Sequence, residues 1–179
     1  MRIIAIDPGY ERMGVAILEK KFQTNGKENL IFSECFKTSS KIFHEERLKL
    51  IGQEIENLIK KYKPEAMAIE TLFFTNNQKT AMHVSEARGV MLYVASKFGL
   101  SVKEFTPMAI KIAVTGYGKS EKKQIIFMVK KLIKIPACTV VAVGNPQKNL
   151  EQIKTAHKYD DEYDAIAVGL TYFATINRK

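Results

Sequence analysis

Two apolar runs at the start of the chain flank a short polar turn. Residues 3–6 are apolar and mostly β-branched, which favours a buried strand. Asp7 ends this run, and Pro8 and Gly9 follow with the dihedral preferences of a tight turn. A second apolar run over 13–18 therefore predicts a hairpin with the Asp7 carboxylate at its rim.

The remaining apolar positions predict helices that alternate with strands. In the first helix the apolar residues recur at helical spacing, Ser39 or Ser40 provides a cap, and Pro64 follows its end. The predicted elements after the hairpin are a strand over 30–36, a helix over about 43–62, a strand over 66–69, a helix over about 80–98, a strand over 100–105, and helices over 107–114, about 120–134 and about 161–176. This order predicts an α/β fold in which helices flank a mixed five-stranded sheet.

Composition narrows the class of protein. The 179 residues fit a single domain, and a hydrophobic fraction of 46% is typical of a globular chain. The formal charge of +9 favours a polyanionic partner. The two cysteines, Cys35 and Cys138, form no disulfide framework, which predicts a reducing, cytoplasmic location. No apolar run approaches the roughly 18–20 residues that span a bilayer, and no signal peptide pattern precedes the first strand, so a membrane protein is not expected.

Four carboxylates fall where elements begin or end. Asp7 and Glu70 each end a buried strand, and Asp161 and Asp164 share one face at the start of the last helix. Each has an ordinary structural explanation: an Asp-Pro-Gly turn, an exposed strand end, and acids that favour the helix dipole. Together they predict a pocket of like charge, which needs cations to be fully ionised.

The donor atoms of these side chains indicate which cations fit. Oxygen-only ligands select hard ions such as Mg²⁺ or Mn²⁺. Two such ions, about 3.5–4 Å apart, form the clamp used for in-line phosphodiester cleavage. The acids therefore predict a two-metal phosphodiesterase site.

At this level of detail the chain resembles a known family. The chain resembles the RuvC Holliday junction resolvases, which have a ribonuclease H-like fold. The segments that carry the resemblance are IDPGYERMGVA, AIETLFF, SEARGV, GYGKSEKKQ and the D-x-x-D-A-I-A of 161–167. The resemblance covers about residues 1–136 and 160–176, and the stretch 137–158 is longer than the family connection. It implies one ribonuclease H-like domain over 1–179 with a possible insertion at 137–158.

The resemblance also implies roles for the acids and for partners. Asp7, Glu70, Asp161 and Asp164 match the four metal-holding acids, with Asp160 as the alternative to Asp161. The implied activity is resolution of four-way DNA junctions by paired symmetric nicks during recombination and repair, with two Mg²⁺ ions per site. A homodimer and branch-migration proteins of the RuvA/RuvB type are the implied partners. Two alternatives stay open: a related nuclease acting on RNA or other branched DNA, and a junction-binding module without cleavage.

The resemblance further assigns DNA contacts. Lys111 and Lys122 match basic positions near the cut, and Lys119 and Lys123 replace small residues and add charge. Contacts of this kind to phosphates give affinity without sequence information. The other lysines of this region, Lys130, Lys131 and Lys134, are interpreted as a solvated helix face.

Aromatic and histidine side chains are harder to interpret. Phe73 and Phe74 are both candidate DNA contacts: Phe73 matches a base-stacking wedge position of the family, and one of the pair is expected in the core. Arg88 is either a DNA contact or half of a surface salt bridge. His83 and His157 lack a metal-type spacing, and His44 sits at a helix start.

The helix over about 80–98 is the expected dimer interface. A four-way DNA junction has approximate two-fold symmetry, and each chain has one acidic site. Cutting both opposed strands therefore requires two copies of the chain related by a two-fold axis. One face of this helix carries apolar and small residues suited to close contact: Val84, Ala87, Gly89, Met91, Val94 and Ala95. The alternative is that this face packs on the sheet of its own chain.

Overall fold

The structure, a computed structural model, describes residues 1–21, 26–72, 78–135 and 160–176. The strands are β1 (Arg2–Asp7), β2 (Arg12–Glu19), β3 (Asn29–Lys37), β4 (Ala66–Glu70) and β5 (Ser101–Phe105). The helices are α1 (His44–Tyr62), α2 (Gln78–Lys97), α3 (Pro107–Thr115), α4 (Lys122–Leu132) and α5 (Asp160–Ile176). The expected stretch 137–158 and the pair Phe73 and Phe74 lie outside the described residues.

The strands form one mixed sheet with the order β3-β2-β1-β4-β5. β1, β2 and β3 pair antiparallel, whereas β1, β4 and β5 pair parallel. The predicted mixed five-stranded sheet is therefore confirmed. Ile6 is the partner of Ile69, so the residues that follow them, Asp7 and Glu70, lie next to each other at one edge.

Helices cover both faces of the sheet. On one face, β1 residues Ile4 and Ile6 share a core with α1 and α2. On the other face, Ile3 and Ala5 share a core with α3, α4 and α5. Helix α5 crosses the middle of the sheet so closely that a Cβ added at Gly169 would lie 2.5 Å from Leu18 Cδ1. The position of α5 is therefore fixed by packing along its whole length.

Two local predictions are wrong. Neither Ser39 nor Ser40 caps α1, because the residue before it is Phe43, which makes no side-chain cap hydrogen bond. Acidic side chains in the first turn of α1 offset the missing cap by favouring the helix dipole. The helical spacing of Ile125, Val129 and Leu132 predicts an inward Leu132, but its side chain is 42% exposed at the last residue of α4.

The predicted interface face of α2 packs inside its own chain. Its residues Ala87, Met91, Val94 and Ala95 belong to the core shared with α1. The opposite face of α2 carries the exposed side chains of Met82 and Tyr93, which are 64% and 67% exposed. Apart from the exposed Gly89, the residues named for a dimer contact thus pack towards the core, although the helix itself still offers an apolar surface.

Among the described helices, none is long and apolar enough to cross a bilayer.

One carboxyl group in the fold predicts a pH effect on stability. Burial, together with the charge and hydrogen bond of Glu54, raises the pKa of Glu34 from 4.5 to about 7. The folded state therefore keeps a proton that the unfolded chain loses near its lower pKa, so stability falls as pH rises towards the folded pKa.

We expect Glu34→Gln to raise the melting temperature at about pH 8 and to leave it nearly unchanged at about pH 5. Gln keeps the shape of the protonated acid, and removing the charge is worth about 1–2 kcal/mol after allowance for solvent screening, or about 3–6 °C. Thermal unfolding at both pH values measures it. The exposed Glu11 is the matched control: Glu11→Gln should change neither value, and an equal gain in both variants would contradict the assignment.

Candidate active site

The edge of the sheet brings the first two predicted acids together. Asp7 ends β1 opposite Gly14 of β2, and Glu70 ends β4 opposite Phe105 of β5. Since β1 and β4 are parallel neighbours, both carboxylates leave the sheet at its carboxyl end. The hairpin expected from the Asp-Pro-Gly turn is confirmed, with Asp7 at its rim.

The first turn of α5 adds the other two acids. A Cβ built on Gly14 would lie 2.0 Å from the backbone oxygen of Asp161 and 3.2 Å from Asp7 Cβ. Only a glycine at this point of β2 lets α5 begin directly over the strand, with Asp161 and Asp164 beside Asp7. Gly14 was not among the predicted site residues, although a glycine inside a strand often marks a place where another backbone approaches closely.

The pKa values show how closely the four acids lie. Burial raises the pKa of Asp7 well above its usual range, and the charges of Glu70, Asp164 and Asp161 raise it further. Burial and the charge of Asp164 raise the pKa of Glu70 to about 7. The Asp160 side chain is 62% exposed, whereas that of Asp161 is 15% exposed. The geometry thus favours Asp161 over Asp160 as the fourth acid.

Two of the predicted lysines lie at these acids. A pocket of about 370 Å³ is lined by Asp7, Glu70, Asp164, Lys111 and Lys122, together with apolar side chains. The Lys122 ammonium lies 2.8 Å from Asp164 Oδ2. Partial burial lowers the pKa of Lys122, but its bond to Asp164 outweighs this and raises the pKa overall. The positive charges of both lysines act to lower the pKa of Glu70, which offsets part of the rise caused by burial and Asp164.

Asp161 has two neighbours that the sequence analysis did not assign. Arg12 Nε lies 3.6 Å from Asp161 Oδ2, and Cys35 Sγ donates to the same oxygen at 3.5 Å. Burial and the charge of Asp161 raise the pKa of Cys35 to about 12, which keeps it a neutral donor. Both residues lie on strands far from Asp161 in sequence, so no local spacing marks them.

The remaining predicted DNA contacts lie elsewhere. Lys119 and Lys123 are exposed, and Lys123 lines a separate pocket with Tyr117 and Phe127. Arg88 Nη2 lies 2.6 Å from Glu104 Oε2. This pairing favours the salt-bridge interpretation of Arg88 over a DNA contact.

The donor set fits hard divalent cations. All four acids offer only oxygen atoms, and three of them, Asp7, Glu70 and Asp164, have raised pKa values because burial and like charges disfavour their ionised forms. Bound cations would remove that penalty, and the adjacent lysines suit a phosphate group. The arrangement is suited to hydrolysis of a phosphodiester.

A family model described as "Crossover junction endodeoxyribonuclease RuvC" matches residues 3–172. A protein of that description from Thermosipho melanesiensis is 41% identical over 168 residues, covering 94% of this chain and 94% of the relative. Its counterpart from Fusobacterium nucleatum is 37% identical over 179 residues, covering 100% of this chain and 83% of the relative.

A solved structure is similar as well. The structure of RuvC from Thermus thermophilus in complex with a Holliday junction substrate matches with a TM-score of 0.80 and 27% identity, covering 98% of this chain and 94% of that chain. The ribonuclease H-like fold expected from the sequence is confirmed by this match. Because the family model spans nearly the whole chain, the chain belongs to the RuvC family of crossover junction endodeoxyribonucleases.

Proposed function

We propose that this chain is a metal-dependent endonuclease that resolves four-way DNA junctions by paired symmetric nicks in recombination and repair. The observation that carries the proposal is the oxygen-only cluster at the sheet edge with two lysines in the same pocket. The Thermus thermophilus relative was solved with a Holliday junction substrate, which supports the same substrate here. A nuclease acting on RNA or other branched DNA is less favoured, because the relatives are crossover junction enzymes.

We assign Asp7, Glu70, Asp161 and Asp164 as the residues that hold the metal, two ions per site. Mg²⁺ is the proposed ion and Mn²⁺ the substitute, since both prefer oxygen ligands. When bound, the ions supply an activated water and charge stabilisation for the displaced oxygen. The chain contributes the orientation of these acids: Arg12 and Cys35 contact Asp161, and Gly14 lets α5 approach Asp7.

We further propose that Phe73 stacks on an unpaired base at the junction, because it matches the position of a base-stacking wedge in the family that the chain resembles. Proteins of the RuvA/RuvB type are proposed as partners on the family resemblance, and a cytoplasmic location is proposed because the two cysteines form no disulfide framework.

A nicking assay on synthetic substrates tests the function. The purified chain with Mg²⁺ should cut a mobile four-way junction at symmetric positions in opposed strands, and should leave linear duplex DNA and RNA intact. Preferential cutting of RNA would favour the alternative nuclease. Tight junction binding without cutting in either metal would favour the binding module.

The lysine pair gives a prediction for DNA affinity. We expect Lys111→Ala and Lys122→Ala each to weaken junction binding and to reduce the slope of log K against log salt by about 0.9, because each loses one phosphate contact. Fluorescence anisotropy in a salt series, with EDTA to prevent cutting, measures both the affinity and the slope.

Lys134→Ala is the matched control for this pair. Lys134 is exposed and lies beyond the end of α4, so its removal should leave the slope unchanged. If the slope of log K against log salt is the same in the wild type and in both test variants, Lys111 and Lys122 act only as counter-ions for the acids and do not contact phosphate.

The symmetry of the substrate gives a prediction for assembly. We expect a homodimer with about twice the chain mass of 20.3 kDa in sedimentation at micromolar concentration. The exposed face of α2 is the proposed contact, because Met82 and Tyr93 are exposed there and Gly89 leaves open space for close approach.

Tyr93→Glu should shift the protein to the monomer, since a carboxylate would enter an apolar contact. Tyr117→Glu replaces a similarly exposed tyrosine outside α2 and should leave the mass unchanged. A wild-type monomer that still makes paired cuts would contradict the dimer.

A further inference from the structure

A second group of metal-binding side chains lies where α1 meets α2, apart from the four acids. His44 is the first residue of α1, and His83 and Glu86 lie three residues apart on α2. One ligand atom from each of these three residues lies within 4.8 Å of the other two. This group was not predicted from the sequence, because only His83 and Glu86 are close together in the chain, whereas His44 lies on another helix.

The side chains already point at one another. His44 Nε2 lies 2.8 Å from Glu86 Oε2, and the His44 and His83 ring centroids are 4.7 Å apart. His83 and Glu86 are exposed, so the group is open to ions from solvent. The i, i+3 spacing places both side chains on one face of α2, as in helical metal sites.

The neighbouring Tyr10 completes the arrangement. Its hydroxyl lies 2.8 Å from His44 Nδ1, the nitrogen that does not face Glu86. Metal-binding histidines usually donate their second ring nitrogen to such a partner, which fixes the ring and the tautomer. Tyr10 is itself held by Arg47, whose guanidinium carbon lies 3.7 Å from the ring centroid. The outer contact is therefore rigid.

We propose that His44, His83 and Glu86 bind one borderline divalent cation of the Zn²⁺ type, at a site separate from the four acids. Two imidazoles and one carboxylate are ligands that suit Zn²⁺ and disfavour Mg²⁺. The fourth position stays open to water. The bound ion takes the place of the direct contact between His44 and Glu86 and ties the start of α1 to the first turns of α2.

The consequence of binding is stability. An ion that binds only the folded chain stabilises it by mass action, and here it joins two helices that share one core. Because Tyr10 follows Asp7 by three positions, the ion also holds the far side of the hairpin that carries the first catalytic acid.

Isothermal titration with Zn²⁺ tests the site, with excess Mg²⁺ present to occupy the acids. One Zn²⁺ per chain is expected, with a rise in melting temperature of about 5 °C at a hundredfold excess over Kd. Glu86→Gln and His83→Ala should each weaken Zn²⁺ binding at least about tenfold, and circular dichroism should show both variants folded.

Two controls separate this site from the acids. Asp7→Asn, which alters the acids alone, and Glu45→Gln, which removes an exposed neighbouring carboxylate, should leave Zn²⁺ binding unchanged. Binding should also weaken on acidification, since a ligand imidazole must be neutral. Zn²⁺ binding that is lost in Asp7→Asn but kept in Glu86→Gln and His83→Ala would overturn the proposal, as would the absence of any binding.

Discussion

Asp7→Asn is expected to abolish junction cleavage while junction binding persists. Asn keeps the shape of the side chain but removes a charged ligand from the centre of the four acids, and the lysines of the pocket still contact phosphate. The loss of several kcal/mol of metal-based stabilisation corresponds to about a thousandfold or more in rate. Single-turnover nicking and anisotropy on the same junction measure the two effects.

The same substitution carries a second readout that does not depend on activity. Burial and three neighbouring carboxylates raise the pKa of Asp7, so its ionised form costs folding free energy above that pKa. Without added metal at neutral or higher pH, Asp7→Asn should melt at a higher temperature than the wild type. Acidification should remove the difference, because the wild-type carboxyl then also becomes neutral.

Asp160→Asn is the matched control. Asp160 is exposed beside the same cluster, so its variant should cut normally and gain no comparable stability. Loss of cutting in Asp160→Asn with normal cutting in Asp161→Asn would exchange the roles of these two residues.

Gly14→Ala should damage both stability and cleavage. Its methyl group would meet the Asp161 backbone oxygen at 2.0 Å, so the start of α5 must move away from the sheet and carry Asp161 and Asp164 with it. Overpacking against backbone costs about 3 kcal/mol, or about 6–12 °C in melting temperature for a domain of this size. Nicking should fall at least about a hundredfold, since small displacements of positioned groups have effects of that size.

Gly89→Ala controls for the change of residue type. An added methyl at Gly89 meets no atom of the chain within 4 Å, and alanine favours a helix by about 1 kcal/mol over glycine. This variant should unfold at the same temperature as the wild type or at a higher one. Normal cutting by Gly14→Ala would show that α5 does not need its close approach to β2.

The strands and helices were predictable because each has a strong periodic pattern. The run of β-branched residues in β1 and the helical stripe of α1 predicted buried elements with nearly the observed bounds. The four acids were predictable for a related reason: a carboxylate at the end of a buried strand is costly, so Asp7 and Glu70 stood out.

The features that could not be predicted depend on contacts between segments that are far apart in the sequence. Gly14, Arg12 and Cys35 act on Asp161 across more than a hundred residues, and no local spacing encodes that contact. From the sequence alone, the apolar face of α2 could pack against a partner or against its own chain. In the structure this face packs in the core that α2 shares with α1. The cluster of His44, His83 and Glu86 joins two helices in the same way.

The burial of α5 has a consequence for how this gene can change. The register of Asp161 and Asp164 is set by residues that follow them, from Ala165 to Phe173, which are buried or pack against the sheet. An insertion or deletion inside this buried run would rotate the two acids away from Asp7, because each residue of a helix turns its successors by about 100°. We therefore expect the length of α5 to stay constant over evolutionary time while exposed residues elsewhere vary.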